Sequence, residues 1–200
     1  MRKSLGLIAV MAMLAAGSAE AQQAWKPTEQ TKTYPVTGTS GIELYSSIGE
    51  NGPKAGQHVR AIAHTDFKLT WQRKYEPQAD GSCMLTTAKP NLVIIYTLPK
   101  LASKLSPDLQ AKWVVFIDGV RRHERVHGEM IENLARNIEQ VSIGISSPDD
   151  PKCTKVRAAL QVKIGEIFAA HQQRNRDFDK VELSDGGNVH QLILALVNQR

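Results

Sequence analysis

After Pro107 no proline occurs until Pro148, and across that interval Trp113, Phe116, Ile117, Val120, Ile131, Leu134, Ile138 and Val141 recur at the three- and four-residue spacing of one buried helical stripe. Ser106 before Pro107 reads as an N-cap followed by proline at the first helical position, where a missing N–H costs nothing. The spacing predicts a single helix from about 107 to 143, roughly ten turns long, and the rest of the chain has to pack around it.

Inside that helix stands His123-Glu124-Arg125-Val126-His127, an H-E-x-x-H string. Side chains four apart are about 400° of rotation round, so they project from one side and both imidazoles can reach one metal ion. By the same count His127 falls in the middle of the apolar stripe and His123 near its edge. Two core histidines paired with other side chains would be the bland alternative, but unligated imidazoles on an aliphatic face leave ring nitrogens in need of partners. The pattern points to Zn2+ on His123 and His127 with Glu124 as general base. Zinc polarises a substrate carbonyl and lowers the pKa of water toward about 7, while the glutamate takes the water's proton and passes it to the leaving amine. The activity expected of such a site is hydrolysis of a peptide or protein substrate.

A catalytic zinc has three protein ligands and one open position. A second helix is expected after Asp149-Asp150-Pro151, which supply an N-cap and a proline at the first position, with Cys153, Val156, Leu160, Ile164, Ile167, Phe168, His171 and Phe178 as its apolar stripe. Equal counting back from the turn at 144–150 sets residues 166–171 opposite the motif. His171 is therefore the first choice for third ligand, and Glu166, about 220° round from it, is expected to face solvent. His190, after Gly186-Gly187-Asn188-Val189, is the second choice. Asp179 and Glu182 come third, either as ligands or as groups that orient a ligand histidine.

The first 21 residues read as a secretory signal peptide: Arg2-Lys3, an apolar run from Leu5 to Ala16, then Ala19-Glu20-Ala21 with cleavage after Ala21. The run is too short to span a bilayer, so no stable membrane span is expected after its removal. A periplasmic or secreted location follows, with one domain over 33–200 behind a flexible segment at 22–32. Loss of the leader changes the formal charge from +5 to +4 with no Lys/Arg block, which argues against nucleic acid as a partner. Arg121, Arg122 and Arg125 crowd the motif and read as a solvated helix face. Cys83 and Cys153 lie outside any C-x-x-C pattern, and in an exported chain they are candidates for one disulfide. Nothing in the pattern speaks to oligomeric state.

Ahead of the long helix the chain looks β-rich. Val36, Ile42 to Tyr45, Val59 to Ala63, Phe67-Leu69-Trp71 and Leu92 to Leu98 are short apolar or alternating runs separated by glycines and prolines. Phe67 to Trp71 alternates with period two, as a half-buried antiparallel strand does. His58 and His64 read as ordinary sheet or loop histidines. Leu92 to Leu98 is the strongest strand, and by analogy with metalloproteases of this helix motif it is a candidate to hold extended substrate by backbone hydrogen bonds. The expected class is α+β: an N-terminal antiparallel sheet followed by two long helices, zincin-like in arrangement.

The exported start, the His123-Glu124-Arg125-Val126-His127 helix and Arg176-Asp177-Phe178-Asp179 together resemble a bacterial family of predicted secreted zinc-dependent proteases, otherwise classed as a domain of unknown function. The resemblance covers most of the mature chain, and it implies zinc on His123 and His127 and catalysis by Glu124. The family pattern carries a Tyr-Asp pair and then Thr-x-His-Gly after the second helix. Here Phe178-Asp179 is followed by Lys180-Val181-Glu182-Leu183-Ser184, without that tyrosine and histidine. If the missing histidine is the family's third ligand, the resemblance implies that Glu182 or His190 replaces it. The rival function is a noncatalytic exported binding protein on a zinc-stabilised scaffold, which would need a closed four-ligand site.

Overall fold

The first structural element places the N-terminal segment in the sheet. The computed structural model describes residues 25–54 and 59–198; the expected signal peptide, its cleavage site after Ala21, and His58 lie outside them. Strand β1 (Thr28–Val36) pairs in parallel with β3 (Cys83–Leu101), and β2 (His64–Pro77) pairs with β3 antiparallel, so the order is β1-β3-β2. A short β4 (Ser146–Ser147) adds to the start of β3. The sheet is therefore mixed, which corrects the antiparallel expectation. The flexible reading of 22–32 is also corrected from Trp25 onward. The Trp25 indole N–H donates to Glu139 Oε2 at 2.7 Å, Arg136 lies over its ring at 4.7 Å, and β1 begins three residues later.

Two further strand expectations fail for local reasons. Ile42 to Tyr45 lies in helix α1 (Gly41–Asn51), because Ser40 caps the Glu43 N–H, Glu43 reaches back to the Thr39 N–H, and Leu44 and Ile48 share one buried face four residues apart. Around Val59 to Ala63 the described residues form an isolated bridge between Lys54 and Arg60 in place of a strand. The alternation of β2 does hold: Phe67, Leu69 and Trp71 turn inward while Lys68 and Thr70 are exposed. Residues 93–97 form an interior stretch of β3, paired by β1 on one side and β2 on the other, so their backbone has no free edge for substrate.

Helix α2 (Pro107–Ser142) starts under the Ser106 cap and Pro107, as expected. Its stripe of Trp113, Phe116, Ile117, Val120, Ile131 and Ala135 packs against Leu92, Ile94, Tyr96 and Leu98 of β3 and Leu44 and Ile48 of α1. Leu134 and Ile138 continue it against Leu85 and Ala88 of β3 and Leu160 and Ile164 of α3 (Thr154–Leu183). Helix α4 (Asn188–Val197) closes the same core with Leu196. At Gly128 helix α2 lies close against β3, since a Cβ there would fall 2.1 Å from the Tyr96 hydroxyl.

Helix α3 begins three residues beyond Pro151, later than Asp149-Asp150-Pro151 predicts. The Asp150 carboxylate still does the capping, accepting from the N–H of Thr154 at 2.7 Å and of Val156 at 2.9 Å. The Cys83–Cys153 disulfide, with Cα atoms 5.3 Å apart, ties this helix start to the start of β3. Its closed loop of 70 residues corresponds to about 4 kcal/mol on the chain-entropy model. The Cys83→Ser, Cys153→Ser double variant should therefore lose about that much unfolding free energy in guanidinium titrations. Reductant should produce a similar loss in the native chain and none in the variant.

Candidate metal centre

The buried arc of α2 is wide enough to face two neighbours. Glu124 and Gly128 turn toward the sheet, where Glu124 is 5% exposed and lies against Thr65 of β2. His123 and His127 turn toward α3, with side chains 9% and 12% exposed. Opposite them α3 continues its stripe past Ile164 and Phe168 through His171 and Asn175 to Phe178, Asp179 and Glu182, all buried or half-buried at three- and four-residue steps. Glu166 is exposed, as its angle predicts.

Three donor atoms converge at this seam. His123 Nε2 and His127 Nε2 are 3.2 Å apart, and Asp179 Oδ1 lies 2.9 Å from His127 Nε2 and 3.3 Å from His123 Nε2. A tetrahedral ion with bonds of about 2.0–2.1 Å has donor-to-donor edges of about 3.3 Å, close to this triangle. The group of metal-capable side chains among the described residues is His123, His127 and Asp179. The third donor is Asp179, ranked behind His171 and His190 from the sequence.

The protonation of His127 follows from its neighbour. The Asn175 Nδ2 donates to the His171 backbone carbonyl at 2.8 Å, and since a carbonyl only accepts, Asn175 Oδ1 must be the atom 2.6 Å from His127 Nδ1. His127 Nδ1 therefore carries a proton, and Nε2 of the neutral ring is a bare lone pair aimed at a carboxylate oxygen. Two acceptors at 2.9 Å require a cation between them, either a proton or a metal ion. Without metal the proton takes that place. Burial opposes the charged form of His127, but Asp179 and Asn175 more than offset it and raise its pKa above the usual 6.5. Asp179 is also penalised by burial, yet hydrogen bonds from His123 and His127 hold it far below the carboxylate range.

The other histidines have separate work. His171 stands behind the pair. It is 6% exposed, edge-on to Phe67 with ring centroids 6.3 Å apart, and bonded to the Met130 carbonyl. Burial, then the charges of Arg174 and His127, push its pKa down and keep it neutral. The equal-count expectation placed it too near the motif because α2 runs only 15 residues from His127 to its end, whereas α3 takes 21 residues to reach Asn175 from its start. His190 lies in the first turn of α4, its Nδ1 accepting from the Gly186 N–H at 3.1 Å. Glu182 Oε2 lies 3.7 Å from His123 Nδ1, and its Oε1 accepts from Asn188 at 2.6 Å, so it backs His123 from the side away from Asp179. Phe178 stacks on the His123 ring at 4.8 Å and meets His127 edge-on at 5.2 Å. Sequence reasoning missed Asn175, although the spacing His171-x3-Asn175-x3-Asp179 sets all three on one helix face.

Glu124 completes the constellation. The Thr65 hydroxyl lies 2.6 Å from Glu124 Oε2 and 3.2 Å from the Glu124 carbonyl. Thr65, Glu124, His123, His127, Asn175 and Asp179 line one cavity of about 560 Å³, so the carboxylate and the donor triangle open on a common space. A family model described as a bacterial protein of unknown function (DUF922) matches residues 31–187, a span that holds every residue of this constellation and both cysteines. No curated protein and no solved structure matches the chain.

Zinc titration should rank these residues. Asp179→Ala and His127→Ala should abolish stoichiometric binding. Asn175→Ala should weaken it about 10- to 100-fold through loss of ring orientation, and His171→Ala should leave one zinc bound. Because His127 must give up its proton to bind metal, affinity should fall as the pH drops through its raised pKa, starting above the ordinary histidine value of 6.5. Calorimetry between pH 5.5 and 8 reads that slope.

Proposed function

From the premise that this chain belongs to the bacterial family of unknown function DUF922, whose membership assigns no activity, we propose that it is an exported zinc-dependent peptidase. The carrying observation is the convergence of His123 Nε2, His127 Nε2 and Asp179 Oδ1 in the cavity that also receives the Glu124 carboxylate. Two imidazoles and one carboxylate are a donor set suited to zinc, and three protein donors leave a fourth position open. His123, His127 and Asp179 would hold such an ion, and zinc there would supply the Lewis acidity that activates a carbonyl and water near neutrality.

The protein's own groups do the rest. Glu124 takes the proton of the attacking water and returns it to the amine nitrogen as the C–N bond breaks. Thr65 steadies one of its carboxylate oxygens, which leaves the other to accept that proton. Asn175 keeps His127 in the tautomer whose Nε2 lone pair can reach a metal, and Phe178 packs on both rings, face-on to His123 and edge-on to His127. The zincin-like reading of the domain belongs to the same proposal, with helix α2 under the cleft and the sheet beside it.

The noncatalytic alternative needs a fourth protein ligand. Among the described residues the donor group has three members, and Glu182 approaches His123 at the other ring nitrogen, which favours an open site. Export is supported by the Cys83–Cys153 disulfide, since such bridges persist in oxidising compartments, and no helix among the described residues is long and apolar enough to cross a membrane.

Glu124→Gln is the decisive variant. It should fold and bind one zinc with unchanged affinity, while cleavage of an unfolded protein substrate, followed by mass spectrometry, falls by at least about 100-fold. Cleavage at the native rate in that variant would defeat the mechanism.

A further inference from the structure

The cavity that receives Glu124 and the donor triangle has a second wall that the chemistry above leaves unused. Tyr45 of α1, Ile62, Val120 of α2, Leu183 of α3, and Val189 and Ile193 of α4 form it. Tyr45 and Leu183 remain 38% and 50% exposed, although both are large apolar side chains that a finished core would cover. Four separate segments and the loop before β2 thus bring apolar surface to the cavity that Glu124, His123, His127 and Asp179 share. The charged side chain on this wall, Arg60, is already committed, donating to the Gly52 carbonyl at 2.6 Å. A charged substrate group entering here would be desolvated without a partner, whereas an apolar one would displace water from apolar surface.

We propose that this wall is the specificity subsite, accepting a bulky aliphatic or aromatic side chain of the residue next to the scissile peptide bond. The proposal rests on the peptidase reading. A volume of about 560 Å³, mostly apolar with a few polar groups gathered at one end, is the usual form of a site that buries a side chain and orients a reacting group. Each methylene buried in such a pocket is worth about 10- to 200-fold in discrimination, so a leucine or phenylalanine should be strongly preferred over glycine.

The test uses the zinc-loaded mature chain and dipeptide hydroxamates that carry Leu, Phe, Gly, Asp or Lys, with affinities read by calorimetry. Matching peptides are assayed for cleavage beside Glu124→Gln. The Leu and Phe compounds should bind at least about 10-fold more tightly than the Gly compound and more tightly than Asp or Lys. Tyr45→Asp, a change at an exposed position, should shrink the Leu-over-Gly ratio at least about five-fold. Equal affinities across the set, a preference for a charged side chain, or no binding would overturn the subsite. Glu124-dependent cleavage with no side-chain preference would remove the subsite and keep the peptidase. Apolar preference in binding with no Glu124-dependent cleavage of any peptide would instead remove the peptidase reading and leave an apolar ligand pocket.

Discussion

The burial of α2 against β3 is the contact on which everything else hangs. Trp113, Phe116, Ile117, Val120 and Ile131 remove one stripe of a ten-turn helix from water, and Leu92, Ile94, Tyr96 and Leu98 provide the surface that receives it. At about 1.5–3 kcal/mol for each fully buried large side chain, this interface outweighs any polar contact in the molecule. It also fixes the rotation of α2 about its axis. Once Val120 and Ile131 face the sheet, Glu124 must meet Thr65, and His123 and His127 must look toward α3. Gly128 lets the helix sit close enough for this, because any side chain there would collide with the Tyr96 hydroxyl.

The seam between α2 and α3 answers to a different physics. Near the disulfide it is apolar, with Leu134 and Ile138 on Leu160 and Ile164. Two turns further it becomes His123, His127, His171, Asn175 and Asp179, a run of groups that costs free energy to bury unless each one is paired. Most are: Asn175 bridges two histidines, Asp179 spans the two motif rings, and His171 reaches a backbone carbonyl. What stays unpaired there is His123 Nδ1, a buried ring nitrogen with no hydrogen-bond partner among the described residues. A core selected only for stability would place apolar side chains there, so the polar seam is a place where the fold gives up packing energy, as functional sites do.

Much of this was legible in the chain. The span of α2 and its cap, the alternation of Phe67 to Trp71 in β2 and the solvent-facing Glu166 follow from local periodicity and end signals, and the pairing of the two cysteines from the exported reading of the chain. The expectations that failed were those in which local pattern competes with an equally plausible partner. Ile42 to Tyr45 reads as a strand until the Ser40 cap and the Glu43 contact with Thr39 are counted. Leu92 to Leu98 reads as a strand but says nothing of having both edges filled over 93–97. Trp25 and β1 read as a loose start because the contacts that hold them, Glu139 and β3, lie more than sixty residues away.

By itself the sequence determined that one long helix would carry His123, Glu124 and His127 on a buried arc, because side-chain direction within a helix depends only on the spacing of residues along it. The identity of the third donor was decided by tertiary structure alone. His171, Asp179 and Glu182 all lie on one face of α3, and which of them meets the motif depends on how far α3 slides along α2. That offset is set by the Cys83–Cys153 bridge, by β4 and by the late start of α3 at Thr154, contacts distant in sequence that no helical count can supply.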